Sequence, residues 1–322
     1  MKKITSRIAP LLLCLWLLVQ TVSAAQLLVP GGQVIGLQLA DHTVTVTAFD
    51  DQLGQAARDA GLEVGDRIVG IDTHTVHSAE DIRQALSRSH GGVDVSILRK
   101  GKAKKLHLQP AITDDGPRLG VYLKQGITGI GTVTWYDEDT GLFAALGHGV
   151  STPDGGLVDM QSGAAFSAAV MSVRKGQSGD PGQLMGSLTQ KEPVGTLFKN
   201  TAQGVFGKLM EVPAAQPLPV GKCKEIHTGA ATIRSTVADT QVQEYSVEIL
   251  KIYPNSGATG RNMLIKVTDE RLLNTTGGIV QGMSGSPIIQ DGKLVGAVTH
   301  VLVNDPTTGY GIFIENMLDA AA

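Results

Sequence analysis

The sequence predicts a mainly β chain with two units in series. A small α+β unit comes first, and a larger strand-rich unit, closed as a sandwich or as a pair of barrels, follows. Three observations carry this. Forty glycines among stretches rich in Val, Ile and Thr describe short strands joined by turns. The one clear amphipathic helix, "SAEDIRQALS", falls in the first third of the chain. From about residue 118, strand-like segments recur at near-regular spacing and only the closing "FIENMLDAA" reads as helical. A length of 322 residues accommodates two modest domains, each with a core.

Residues 1–25 read as an export signal or N-terminal membrane anchor. Lys2, Lys3 and Arg7 precede the apolar run "IAPLLLCLWLLV", and "VSA" supplies a small-residue cleavage site. The run is short of the roughly 20 residues needed to span a bilayer. Cys14 lies inside it, which leaves Cys223 alone and excludes an internal disulfide in the processed chain. An exported protein without disulfides points to bacterial export. The net charge of −3, with no stripe of Lys or Arg, argues against a nucleic-acid partner.

Residues 26–112 form the first unit. "VIGLQLA" and "HTVTVTAFD" alternate as strands; "GQAARDAGLEVGDRIVGID" reads as a short helix, a glycine turn and a strand. Ser78 caps the amphipathic helix, with Ile82, Ala85 and Leu86 facing inward. "GGVDVSILRKGKAKKLHLQP" is a hairpin. The linker "QPAITDDGPRL" leads to the second unit, residues 113–322, whose strands include "GITGIGTVTWYD", "GLFAALGHGV", "QEYSVEILKIY" and "GYGIFIENML".

The chemistry concentrates in "GIVQGMSGSPIIQDGKLVGAVTH", where two serines sit in a glycine-rich elbow between apolar strands. A serine hydroxyl is a weak nucleophile until a base takes its proton. His148, at a strand end flanked by Gly147 and Gly149, is the histidine placed to do so, and Ser284 is the nucleophile. The glycines beside Ser284 let backbone N–H groups face a developing oxyanion, assigned to Gly282 and Ser284. Ser286, before Pro287, is read as bonding locally in the turn. His74 and His77 are too loosely spaced for a metal site, and no cofactor is implied.

The order of the first unit, carried by Ala60-Gly61-Leu62 and Gly65-Asp66-Arg67-Ile68 with the helix after them, resembles a PDZ domain. That resemblance implies an extended peptide partner held along a sheet edge, with Gly32, Ile35, Gly36 and Leu37 as the peptide-facing positions. "ALGHG" and "GMSGSP" resemble the histidine and serine motifs of trypsin-like proteases, in the same order. Together with "TGGIVQGMSGSPIIQDGKLVGAVTHV" and "NDPTTGYGIFIENML", the chain resembles the stage IV sporulation protein B peptidases. The resemblance implies a PDZ domain followed by a trypsin-like double β-barrel. It places His148 as base, Ser284 as nucleophile and Asp269 as acid, with Asp154, Asp159, Asp180 and Asp239 also lying between base and nucleophile. It puts Val298, Thr299 and His300 on the substrate. It further implies self-cleavage, cleavage of a membrane-tethered regulator of an intramembrane protease during sporulation, and residence between the forespore and mother-cell membranes. Two other readings stand beside this one: a catalytically silent PDZ binding protein, and a general envelope quality-control protease.

Overall fold

The structure, a computed structural model, describes residues 26–89, 91–152, 155–256 and 260–322; the expected signal over residues 1–25, His90 and Asp154 lie outside them. Two long strands organise the chain. β1 (Leu27–Pro30) leads into β2 (Val34–Phe49). Then come α1 (Gln55–Asp59), β3 (Arg67–Ile71), β4 (His74–Thr75), α2 (Ala79–Arg88), β5 (Val93–Arg99) and β6 (Lys102–Leu108). The hairpin of β7 (Ala111–Thr113) and β8 (Gly116–Arg118) precedes the second long strand, β9 (Val121–Tyr136). β2 and β9, 16 residues each, run antiparallel, with Phe49 facing Val121 at one end and Val34 facing Thr132 at the other. The register shifts between Leu39 and Val44, and this bulge divides the ribbon into two halves with different neighbours.

The distal half carries the PDZ unit. Val44 and Val46 pack with Ile68, Ile71, Ile82 and Val95 in a core of their own. The Ser78 hydroxyl accepts the Asp81 N–H at 3.1 Å and caps α2, whose buried face is Ile82, Ala85 and Leu86, as the sequence pattern predicts.

The proximal half belongs to the first barrel. β10 (Leu142–Ala145) pairs with the other edge of β9, and β11 (Ser162–Arg174) with the other edge of β2. β12 (Gln183–Leu188) folds back on β11, while β13 (Gly195–Thr201) and β14 (Gly204–Leu209) close the ring β9-β10-β14-β13-β11-β2. Two expectations are corrected here. The barrel takes its first strand from residues ahead of the PDZ unit, so that unit does not begin at residue 26. Gly32, Ile35, Gly36 and Leu37 are therefore not peptide-facing. Ile35 and Leu37 are 5% and 2% exposed and pack with Phe143 and Leu197. A Cβ on Gly36 would come within 2.4 Å of Leu188.

β15 (Leu218–Pro219) leads to the second barrel. Its strands are β16 (Gly229–Thr236), β17 (Val242–Ile252), β18 (Met263–Val267), β19 (Pro287–Gln290), β20 (Lys293–Leu302) and β21 (Asp305–Phe313). They close in the order β16-β17-β18-β21-β20-β19. α3 (Glu270–Thr276) joins β18 to the serine elbow, and α4 (Ile314–Ala321) ends the chain. Ile314 and Met317 of α4 pack with Leu28, Trp135 and Phe206 of the first barrel and Leu294 and Ala297 of the second. That shared apolar layer cements the two barrels, each fully buried side chain contributing about 1.5–3 kcal/mol.

In the PDZ unit Asp66 is 1% exposed. It accepts two bonds from Arg99, both at 2.7 Å, and the Glu63 N–H at 2.8 Å. Burial alone would raise its pKa, but these partners hold it below the ordinary 3.8. Asp66→Ala leaves Arg99 without its buried counter-charge and is expected to cost about 3 kcal/mol. Hydrogen exchange of the β3 and β5 amides in the full-length chain reads that loss as faster opening.

Candidate active site

The serine elbow joins α3 to β19. Gly282 and Gly285 hold left-handed backbone angles, with φ of +99° and +97°. At Gly285 a Cβ would lie 2.0 Å from the Thr132 carbonyl oxygen, so glycine alone fits. The Gly285 N–H donates to the Val298 carbonyl at 2.7 Å and the Val298 N–H to the Ser286 carbonyl at 2.9 Å, fastening the elbow to β20. Ser286 is fully buried and donates to the Ser235 hydroxyl at 3.0 Å, so it is locked across the barrel rather than within the turn. Ser284 is half-buried and donates to the Thr299 carbonyl at 2.8 Å. Among the described residues, the Gly282 and Ser284 N–H groups donate to no protein acceptor, as an oxyanion site requires.

The histidine arrives from the first barrel. β10 ends in a reversal at Leu146 and Gly147, with φ of +73° and +68°. The left-handed leucine costs about 1–2 kcal/mol. Burial of its side chain and its N–H bond to the Thr132 carbonyl at 3.2 Å offset that cost. His148 follows, half-buried, its Nδ1 2.9 Å from the Gly149 carbonyl. A carbonyl only accepts, so Nδ1 carries the hydrogen and Nε2 presents the lone pair that a general base uses. Burial holds the imidazole below its ordinary pKa of 6.5, against the opposing pull of the Gly149 bond.

His148, Ser284, Gly282 and His300 line one cavity of about 640 Å³, with Ile130 and Leu146 as part of its apolar wall. His300 comes from β20, its ring centroid 5.2 Å from that of His148 and tilted by 37°. Its outer edge meets solvent. Burial of the inner edge, His148 and Arg261 together hold its pKa well below the usual imidazole range.

The remaining expected residues fall elsewhere. Asp269 is the N-cap of α3: it accepts the Arg271 N–H at 2.9 Å and the Leu272 N–H at 3.3 Å, and it pairs with the Arg271 guanidinium at 2.8 Å. The Arg271 bonds, with help from the Ser246 N–H, hold its carboxyl down at about 2. Its oxygens are committed to helix and arginine, and it makes no contact with His148. Of the alternatives, Asp180 pairs with Arg174, Asp239 bridges to Val170 and Asp159 is exposed. Among the described residues no carboxylate bonds to His148. Val298 is fully buried, and the Thr299 hydroxyl donates to the Gly260 and Tyr310 carbonyls. Their side chains do not face the cleft, whereas His300 does. Cys223 is exposed and does not line the cavity.

Thr132 is the residue the sequence reading missed. Its N–H donates to the Ser284 carbonyl at 3.0 Å, its hydroxyl to the Gly282 carbonyl at 2.8 Å, and its carbonyl accepts the Leu146 N–H. One β9 residue thus ties the serine elbow to the histidine turn. Its only trace in the sequence is a polar residue on the buried side of "GTVTWY".

A base must be neutral to act, so kcat/KM should rise with pH through the His148 pKa and reach half its plateau below pH 6.5. The same burial gives a stability contribution present above the unfolded pKa and lost as the pH falls. A pH–rate profile with its acid limb above 6.5 refutes the assignment.

Two family models agree with this architecture. The family model for SpoIVB peptidase S55 matches residues 116–318, and that for a PDZ domain matches residues 33–109, beginning in the strand that barrel and PDZ unit share. Curated relatives described as zinc metalloproteases match over a short stretch. One from Agrobacterium fabrum is 31% identical over 37% of this chain and 29% of its own length. One from Rhizobium meliloti is 32% identical over 36% and 29%. The chain thus spans less than a third of their length. Among the described residues no group of three or more His, Cys, Asp or Glu is placed to hold a metal. Of solved structures, the Rv3671c protease of Mycobacterium tuberculosis is similar in its inactive form at a TM-score of 0.33 and 15% identity, over 59% of this chain and 82% of that one. Its active form scores 0.33 at 15% identity, over 60% and 73%. With the family model covering well over half of its residues, the chain belongs to the SpoIVB peptidase S55 family and carries a PDZ domain.

Proposed function

We propose that this is an exported serine endopeptidase that processes itself and cuts a membrane-tethered regulator during sporulation. That cut releases an intramembrane metalloprotease, which matures a late mother-cell sigma factor. The observation that carries the catalytic part is the meeting of Ser284 and His148, from separate barrels, in one cavity beside two N–H groups that have no acceptor among the described residues. Family membership supports the cellular part, and the apolar run with "VSA" in residues 1–25 supports export into the space between the two membranes.

The shared cavity of Ser284 and His148 supports an acyl-enzyme reaction. The Ser284 hydroxyl leaves the Thr299 carbonyl, gives its proton to His148 Nε2 and attacks the scissile carbonyl carbon. The Gly282 and Ser284 N–H groups receive the oxyanion. The imidazolium returns the proton to the leaving amine, and water, deprotonated by the same nitrogen, frees the acyl group. No step calls on a metal.

Peptide capture is assigned to the groove between α2 and the start of β9. Residues 121–125 of β9 pair with β2 on one edge, while the other faces a cleft of about 420 Å³ lined by Ile82, Leu86, Leu119, Gly120 and Leu123. The β7–β8 hairpin closes one end, and the rim carries both signs: Arg118 pairs with Asp115, Arg83 with Glu80, and Asp50 lies beside them. An extended peptide ending in a free carboxylate fits an open strand edge next to a glycine turn.

A fluorescent phosphonate that labels activated serines tests the chemistry. The chain from residue 26 onward should label, whereas Ser284→Ala should not label, should not trim itself and should lose on the order of 10⁶ in kcat. Equal labelling of the two would return the protein to the silent binding class. Immobilised hexapeptides with free or amidated C-termini test the groove: the parent should favour the free carboxylate, and Ile82→Lys should weaken binding by about tenfold or more.

A further inference from the structure

Strand β9 supplies part of the wall of three cavities, met in order along its length. At its start, Gly120, Val121 and Leu123 line the groove beside α2. In its middle, Lys124, Gly126 and Ile127 line a cleft of about 610 Å³ against the PDZ sheet. Near its end, Ile130 lines the catalytic cavity, and Thr132 holds the serine elbow. Ser151 borders both the middle cleft and the catalytic cavity, so the two adjoin.

The edge of β9 that faces away from β2 carries backbone groups along this path. The Thr132 N–H and carbonyl leave the strand on that edge, where they meet the Ser284 carbonyl and the Leu146 N–H. Alternation along a strand turns the amide groups of Ile130 and Thr128 the same way. At the other end, the Val46 N–H and carbonyl are taken by Asp66 and Gly65, on the far side of β2. Its partner Leu123 therefore turns its own amide groups outward. The bulge at Gly126 shifts the alternation between the two stretches. Thr128 and Gly129 are exposed, and a Cβ on Gly129 would meet nothing within 4 Å.

We propose that the C-terminal tail of a substrate adds to this edge as a strand, from Gly120 to Ile130, so that cleavage falls about ten residues from a free C-terminus held in the PDZ groove. The inference rests on the reading of Ser284 and His148 as nucleophile and base, and of the α2–β9 groove as a peptide site. Direction follows from the place of the carboxylate. A tail that ends at the Gly120 turn and lies along β9 runs antiparallel to it, so its upstream residues lead toward Ile130 and the cavity of Ser284. At roughly 3.3 Å per residue the tail covers about 33 Å. The part of the substrate N-terminal to the scissile bond is then the acyl group on Ser284. The tail leaves as the amine that takes the proton from His148. Because the strand is held by main-chain bonds, distance from the C-terminus outweighs the sequence of the tail in placing the cut.

The test uses the chain from residue 26 onward and random-sequence peptides of three lengths, each longer than the β9 path, with free or amidated C-termini. Mass spectrometry of the products locates each cut. Cuts are expected to cluster about ten residues from the free C-terminus at all three lengths. Amidation should lower kcat/KM about tenfold or more and scatter the cuts. N-methylation of amides in the middle of the tail, which removes strand bonds and leaves the protein untouched, should act in the same direction. Ile82→Lys should repeat the effect of amidation from the protein side, and the peptide changes answer for any misfolding of that variant. Cuts placed by the residues at the scissile bond alone, or by distance from the N-terminus, overturn the proposal. So does equal cutting of tails with and without N-methyl groups. If the parent neither cuts any peptide nor takes the phosphonate, the protease reading itself fails. If amidated peptides are cut as fast as free ones and in the same places, the groove reading fails. A preference for free C-termini with cuts at scattered distances keeps both readings and refutes the shared strand edge alone.

Discussion

The β2–β9 ribbon is the constraint on which the rest depends. Two adjacent strands of the first barrel continue past their bulge and become two strands of the PDZ unit, so one hydrogen-bonded ladder serves two cores. The proximal half sets the depth of Val34, Ile35 and Leu37 against β11, and the distal half sets Val44 and Val46 against α2. A slip of one residue would turn every side chain to the wrong face of both. The bulge absorbs the change of neighbours between Leu39 and Val44, and Gly126, with φ of +75°, lets β9 follow without collision against the Leu39 carbonyl.

The catalytic geometry is built outward from the same ribbon. Thr132 spends all its polar groups on the two turns that carry Ser284 and His148, and it is fully buried. Gly285 lies so close to its carbonyl that no side chain fits, and the left-handed Leu146 is held by the same oxygen. Nucleophile and base belong to different barrels, yet their spacing is fixed by backbone bonds to one residue. It does not rest on the packing of one barrel against the other. The apolar layer under Trp135 and Phe206 then keeps the barrels from parting around that knot.

Much of this was legible in the chain. The cap at Ser78, the buried face of α2, the β-rich second unit and the two glycine-flanked motifs at His148 and Ser284 follow from local patterns, because caps, periodicity and tight turns are local physics. Three things were not. "VIGLQL" alternates as a strand should, but alternation does not name the sheet a strand joins, so it was assigned to the PDZ unit when it belongs to the barrel. Asp269 precedes "ERLLNTTGG", which is a helix-start signature with a glycine stop; resemblance assigned a catalytic role where capping explains every bond it makes. Thr132 is invisible because its role is long-range: it bonds to residues 150 positions away, and no spacing rule reaches that far.

The loss of Asp269 from the site changes what the site must be. Among the described residues no carboxylate meets His148, so its tautomer and its charge stabilisation have separate sources there. The backbone supplies the first at low cost, since the carbonyl of the following residue is held by the same turn that presents the ring. The elbow, the histidine turn and β20 converge on Ser284, His148 and His300, all positioned by backbone bonds of a few neighbouring residues.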